Sequence, residues 1–256
     1  MIEAVLFDIG DVLMHFETSR ARHFLDAAVR PVFDGLIELG HRPPPFRAYA
    51  RRIRWAFVSA FVTSRIVQRE VATLDVMRRA HARMGISLST GLMNELAMQC
   101  KRPFEQFFST DPQAVPVVSR LREVGFKLGI VSNTFFPRFA IDEVLEREGL
   151  LEPFPVRIYS SDVGFMKPHP GIFRAALDQL DVAPEQAMHV GDLVRKDVRG
   201  AARAGIHSVL MVPEGKRASG RPKPDFVIHE LMDLLSLPAI RERMGTSVPS
   251  IVPTRL

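Results

Sequence analysis

Residues 4–13 read Ala4-Val5-Leu6-Phe7-Asp8-Ile9-Gly10-Asp11-Val12-Leu13. Four apolar residues in a row describe a short buried strand, and the Gly10-Asp11 pair after it breaks the run into a turn. Asp8 therefore stands where a buried strand ends. In an open α/β sheet that position faces the crevice at the carboxyl ends of the strands, where ligands bind, which makes Asp8 the first candidate for chemistry. Alone it is equally an aspartate capping the next turn. Three later segments of the same type decide between the two readings.

Working outward, the strand over 3–7 is followed by helical signals only. Apolar residues recur at three-to-four spacing over 21–39, 46–62, 71–84 and 90–100, with breaks at Gly40-His41-Arg42-Pro43-Pro44-Pro45 and at Gly85-Ile86-Ser87. No strand intervenes in this pattern, so residues 14–103 are expected to be a helical module inserted after the first strand. From Asp111 onward the pattern alternates: helix 113–123, strand 127–131, helix 139–148, strand 157–160, helix 171–180, strand 187–190, helix 198–204 and strand 208–212. Such βαβ units need right-handed crossovers and imply a parallel sheet. The first strand must join it, being too short and apolar to stand alone. The expected class is α/β, with a sheet domain from 1–13 and 104–245 and a disordered tail over 246–256, where Pro249 and Pro253 interrupt any helical period.

Polar groups recur where these strands end. Ser132-Asn133-Thr134 follows the strand over 127–131 and offers a hydroxyl, an amide and backbone N–H groups to a phosphate, or an ordinary helix cap. Gly164-Phe165-Met166-Lys167-Pro168-His169-Pro170 frames one lysine between a glycine and two prolines, a stiff setting for a cation that can balance a phosphate and a carboxylate together. Gly191-Asp192-Leu193-Val194-Arg195-Lys196-Asp197 sets two carboxylates five apart at a strand-to-helix junction. One can bind Mg²⁺ directly and the other through water, since Mg²⁺ takes few carboxylates and keeps several waters. Their bland reading is a helix N-cap and a first-turn acid.

With these segments in hand, the chain resembles the haloacid dehalogenase-like hydrolase superfamily. The resemblance is carried in order by Phe7 to Leu13, by Ile130-Val131-Ser132-Asn133, by Lys167-Pro168, and by Val190-Gly191-Asp192 with Asp197 ahead of Gly200-Ala201-Ala202-Arg203-Ala204-Gly205. It covers the sheet domain, while the helical module matches in position and type as a cap. It implies a Rossmann-like, doubly wound parallel sheet with an inserted all-helical cap. It further implies Asp8 as a nucleophile forming an aspartyl-phosphate, with Ser132, Asn133, Lys167 and Gly10 around the transferring group. Asp8, the Gly10 carbonyl and Asp192 would ligate Mg²⁺, with Asp197 supporting, and the substrate would be a small phosphorylated metabolite, sugar phosphates included.

One position departs from the family pattern. Family phosphatases carry a second aspartate two residues after the nucleophile as general acid and base, and here Gly10 stands there. Such help is typically worth about 10²–10⁴ in rate. Three explanations are open: a leaving group that needs little protonation, substitution by Asp11, or decayed catalysis. The last would leave a phosphate- or metabolite-binding protein. A 2-haloacid dehalogenase, which needs no metal, is the enzymatic alternative. It is favoured by the missing acid and by Ser160-Ser161-Asp162-Val163-Gly164, and opposed by Gly10, where that branch carries an aromatic residue, and by Asp192.

Composition sets the outer limits. The 256 residues are 46% hydrophobic, enough for a sizeable core, and 25% charged with a net charge of +5. The densest basic cluster, Arg51-Arg52-Ile53-Arg54-Trp55, is too short for a nucleic-acid surface, so no nucleic-acid partner is expected. The single cysteine, Cys100, excludes an intramolecular disulfide and a cysteine zinc site. No targeting segment or membrane span is read, and a cytoplasmic location is expected. Substrate groups beyond the phosphate would meet the cap, where Arg20, Arg51, Arg54 and Trp55 are available, and hinges are expected at 14–17 and 103–111.

Overall fold

The computed structural model describes residues 1–16, 21–67, 73–98, 108–134, 138–216 and 219–245. The first strand, β1 (Ala4–Phe7), is buried along its whole length. It lies between β4 (Lys127–Ser132) and β6 (Ala187–Gly191) and pairs in parallel with both, Phe7 standing opposite Ile130 on one side and Val190 on the other. With β5 (Val156–Tyr159), β7 (His207–Met211) and β8 (Phe226–Ile228) they form one parallel sheet in the order β5-β4-β1-β6-β7-β8.

The unbroken apolar run of β1 has a direct cause in this layering. Val5 and Phe7 pack on one face with Val117 and Leu121 of the helix Ala114–Glu123, Val144 and Leu145 of the helix Arg138–Arg147, and Ile240 of the helix Pro238–Met244. Ala4 and Leu6 pack on the other with Ile172, Phe173 and Leu177 of the helix Pro170–Leu180 and Ala201 of the helix Arg199–Ala204. Both pleat directions are therefore covered, as a doubly wound sheet requires. After β1 the chain adds β4 and β5 on one side and later returns to add β6, β7 and β8 on the other. The winding reverses at β1, and the crevice of such sheets opens at that reversal.

Helices α1 (Ala21–Glu38), α2 (Phe46–Val67), α3 (Thr73–Ala82) and α4 (Thr90–Met98) build a third core of their own, with Val32, Leu36, Tyr49, Ile53, Met77, Met93 and Leu96 at its centre. Tyr49 Oη and His81 Nε2 lie 2.7 Å apart inside it. None of the described helices is long and apolar enough to cross a membrane.

Three expectations need correction. The stretch from residue 14 is not helical throughout, because β2 (Met14–Phe16) pairs antiparallel with β3 (Phe108–Thr110). Strands of three residues are too short to show a period, and this pair is held together across more than ninety residues of intervening chain. The sheet does not end at β7: β8 adds an edge strand, and Pro238–Met244 covers the first face. The helix after β6 does not start cleanly at 198, since Val194–Val198 forms a wider π turn before Arg199–Ala204. The expected tail over 246–256, Cys100, Arg20 and the hinge residues 103–107 fall outside the described residues.

Candidate active site at the carboxyl ends of β1, β4 and β6

Asp8 follows β1 directly and is buried. Its Oδ1 accepts hydrogen bonds from the Ile9 N–H at 2.8 Å and from Ser132 Oγ, at the end of β4, at 2.8 Å. Its Oδ2 lies 2.9 Å from Lys167 Nζ. The register placing Phe7 beside Ile130 brings Asp8 and Ser132 together, although 124 positions separate them.

Lys167 is the centre of the charge network. Its side chain has 0% exposure, and its ammonium donates to Asp8 Oδ2, to Asp197 Oδ1 at 2.7 Å and to the Val131 carbonyl at 3.0 Å. Those three contacts use its full complement of N–H donors. Burial alone would pull the ammonium down, but the facing carboxylates of Asp197 and Asp8 outweigh it and hold Lys167 above the usual lysine range. Asn133 fixes the lysine's backbone from both sides: its Oδ1 accepts the Lys167 N–H at 2.7 Å, and its Nδ2 donates to the Lys167 carbonyl at 3.0 Å. Both ends of that side-chain amide are thus engaged in placing the lysine.

Asp197 comes from the π turn, with 1% of its side chain exposed. Its Oδ1 also accepts from His189 Nε2 at 3.0 Å, and its Oδ2 accepts the Leu193 N–H at 3.0 Å. Burial would raise this carboxyl, and Lys167 and His189 together reverse that and hold it below the usual range. Gly191 has to be glycine for this arrangement, because a Cβ there would overlap the Asp197 side chain. Asp192 next to it is half-buried, and burial together with the charges of Asp197, Asp8 and Asp11 pushes it up to about 7. A carboxyl raised by burial and, beyond that, by carboxylate neighbours stands where a bound cation would relieve the repulsion.

Asp8, Asp192 and Asp197 each offer an oxygen within 4.8 Å of one another, a donor set of the hard-oxygen type that suits Mg²⁺. The two oxygens of Asp197 already accept three hydrogen bonds, as do those of Asp8, so Asp192 is the freest donor of the three. Gly10 lies in the turn and bridges to Met14, and its backbone is not left-handed. A Cβ added to it meets nothing within 4 Å. Asp11 has a left-handed backbone, φ 53°, and its 65%-exposed side chain turns toward His15.

A family model described as a haloacid dehalogenase-like hydrolase matches residues 2–205, which span Asp8, Ser132, Lys167, Asp192 and Asp197. The chain belongs to the haloacid dehalogenase-like hydrolases. Among proteins of this family, it is 38% identical over 242 residues to a glyceraldehyde 3-phosphate phosphatase of Methanopyrus kandleri, a match covering 93% of this chain and 97% of that one. It is 35% identical over 133 residues to a phosphoserine phosphatase of Thermus thermophilus, about half of each chain. Similar solved structures include a HAD phosphatase from Thermococcus onnurineus, with a TM-score of 0.60 at 26% identity over 92% of this chain and 97% of that one. They also include a 2-haloacid dehalogenase from Pseudomonas syringae pv. Tomato DC3000, with a TM-score of 0.65 at 25% identity over 96% of this chain and all of the other.

Two members of the site escaped the sequence reading. His189 sits inside β6 and reads as one polar residue in a buried strand, with no spacing signal toward Asp197. Ser160, just past β5, donates to the Thr134 carbonyl and accepts its N–H at 3.0 Å, bracing the turn after Ser132. In the sequence it stands within Ser160-Ser161-Asp162-Val163-Gly164, the stretch that favours a dehalogenase, with no signal toward the turn after Ser132. Of the proposed specificity residues, Arg51 and Trp55 are exposed, Trp55 at 67%, and Arg54 is half-buried.

Proposed function

We propose that this hydrolase is a Mg²⁺-dependent phosphatase of a small phosphorylated metabolite, working through an aspartyl-phosphate on Asp8. The observation that carries this reading is the fully buried Lys167 held between Asp8 and Asp197, with Asp192 completing an oxygen cluster at the same strand ends. An anion attacks an anion only after charge is cancelled, and this pocket gathers one fixed cation and one cation-attracting acid set. Mg²⁺ held by Asp8, Asp192 and the Gly10 carbonyl would supply that neutralisation and orient the phosphoryl group.

The protein's own groups do the rest. Asp8 is oriented by Ile9 N–H and Ser132 Oγ–H, which pin one carboxylate oxygen and direct the other into the crevice. As its charge is consumed in the new P–O bond, the Lys167 N–H now facing Asp8 is released to the transferred group, and the Ser132 hydroxyl becomes a second donor. Asp197 keeps the ammonium in place, and Asn133 keeps its loop in place. Residues 14–103 act as a cap over the 1–13 and 104–245 core, which matches the separate apolar core of α1–α4. The named activities of the Methanopyrus and Thermus relatives support a phosphate ester as substrate.

A panel of phosphorylated trioses, sugar phosphates and phosphoserine, assayed with Mg²⁺ beside Asp8→Asn, tests this reading. Turnover is expected in the parent and lost in the variant, and turnover that survives Asp8→Asn removes the nucleophile. The likeness to a 2-haloacid dehalogenase supports a second reading, which halide release insensitive to EDTA would establish. Tight phosphate binding without product, unchanged by Gly10→Asp, would identify a binding protein.

A further inference from the structure

A second set of titratable groups lies beside this site, where β1 turns into β2. Asp11 is one of two non-glycine residues with a left-handed backbone among those described, a conformation that costs energy and collects at functional positions. Its N–H donates to the Met14 carbonyl at 2.7 Å, and Gly10 bridges Met14. The turn thereby doubles back and sets His15 one residue beyond the partner of Gly10. His15 Nε2 lies 3.1 Å from Asp111 Oδ2, and His15 Nδ1 lies 3.6 Å from Asp11 Oδ1. Asp111 is itself anchored: its Oδ1 accepts the Gln113 N–H at 2.8 Å, and its own N–H donates to the Leu13 carbonyl at 3.0 Å. The imidazole, 43% exposed, stands between carboxylates that come from the two sides of the β2–β3 ribbon.

We propose that His15 is the proton-transfer residue of this hydrolase, doing the work of the aspartate that Gly10 replaces, with Asp111 as its positioning residue. The proposal rests on the phosphatase reading above. Three observations carry it. The backbone at Gly10 does not demand glycine, and a side chain there would meet no neighbour, so the glycine leaves open space beside the nucleophile for a leaving group. The one imidazole of this turn, the side chain whose ordinary range spans neutral pH, follows that opening closely in the chain. And it is held through Nε2 by an anchored carboxylate, the pairing that orients an imidazole and stabilises its cation. That leaves Nδ1 on the side of Asp11, the residue next to Gly10 in the turn. At 3.6 Å the Asp11 carboxylate is beyond hydrogen-bonding distance of that nitrogen.

The steps balance. As Asp8 attacks phosphorus and the ester P–O bond breaks, the imidazolium passes its Nδ1 proton to the departing oxygen, yielding the free alcohol, the aspartyl-phosphate and neutral His15. Water then attacks the aspartyl-phosphate, its proton returns to Nδ1, and phosphate leaves with Asp8 and the imidazolium restored.

The test compares two leaving groups in wild type, His15→Asn and His15→Asn with Gly10→Asp. One substrate is an alkyl phosphate such as glycerol phosphate, whose alkoxide needs a proton. The other is acetyl phosphate, whose carboxylate leaves without one. His15→Asn is expected to lower kcat/KM on the alkyl phosphate, which reports the leaving-group step, by about 10²–10³ while changing kcat/KM on acetyl phosphate by less than about fivefold, and Gly10→Asp is expected to restore the alkyl phosphate value. The basic limb of the pH–rate profile should disappear with the imidazole. An independent measurement is the NMR titration of the His15 ring, which should move upward when orthovanadate and Mg²⁺ are added to the wild type. Equal loss of kcat/KM on both substrates marks His15 as a structural clasp of the ribbon and overturns the proposal, as does a variant that keeps the wild-type kcat/KM on the alkyl phosphate. Asp8-dependent turnover indifferent to His15 overturns this proposal alone. Absence of turnover of either substrate by the wild type overturns the phosphatase reading beneath it.

Discussion

Replacing Lys167 with methionine keeps the length of the side chain and deletes the charge that two buried carboxylates share. Breaking a buried ion pair by removing one partner costs about 3–5 kcal/mol. Here the lower end applies, because neither carboxylate is left bare: Asp8 keeps the Ile9 N–H and the Ser132 hydroxyl, and Asp197 keeps His189 and the Leu193 N–H. A loss of about 3 kcal/mol corresponds to a fall of roughly 6–12 °C in Tm for a chain of this size. The perturbation has a pH signature as well. Lys167 holds the folded Asp197 carboxyl below its unfolded value, so its contribution is complete above about pH 4 and is lost as the pH falls toward the folded value. The gap between wild type and variant should therefore narrow in acid. The assay is reversible urea unfolding at pH 7 and at pH 3.5, extended to Asp197→Asn and to the double variant. The double variant should be more stable than the sum of the single losses predicts, by about 1–3 kcal/mol, because Asp197→Asn removes the charge that Lys167→Met strands. A Lys167→Met protein within about 1 kcal/mol of wild type, or losses that simply add, would refute the assignment of Lys167 as a buried bridge.

The carboxyl of Asp192, raised to about 7 in the folded protein, binds a proton that the unfolded chain has released, so stability without metal should fall as the pH rises from about 4 through 7. Millimolar Mg²⁺ should stabilise the protein more at pH 8 than at pH 5.5 in thermal melts, and Asp192→Asn should abolish the difference; equal stabilisation at both values counts against the cation site. In the α1–α4 core, burial brings His81 down to about 4, so the unfolded chain takes up the proton first and stability drops by about 3 kcal/mol between pH 6.5 and pH 4. His81→Gln, which keeps a partner for Tyr49, should flatten that slope, and parallel curves for variant and wild type would contradict it. Gly191→Ala drives a methyl group into Asp197 and should cost about 1–3 kcal/mol, whereas Gly10→Ala, with empty space at its Cβ, should stay within about 0.5 kcal/mol in the same denaturation assay.

Local pattern was enough to read most of the sheet domain. An apolar run ending in Asp8, a turn of Ser132-Asn133-Thr134 after the next strand, a lysine framed by glycine and proline, and an acid pair after a fourth strand each announce a strand end, since period and turn chemistry act over a few residues. Strand β8 and the β2–β3 ribbon escaped that reading because three residues do not show a period. Asn133 was legible as a polar turn residue but not as the clasp of the Lys167 backbone, for its partner lies in another loop.

Chain chemistry alone thus specifies an alternating α/β core and the identity of the groups that stand at its strand ends. Which of those groups touch was settled by strand order. With β1 between β4 and β6, Asp8 meets Ser132 from one neighbour, while Lys167 reaches across to Asp197 beyond the other. His15 is drawn against Asp111 by the same kind of long-range pairing, whereas His189 meets Asp197 through the π turn that follows its own strand. Contacts between residues far apart in the chain have no local signal, because they exist only once burial of both faces of β1 has fixed its neighbours and its register.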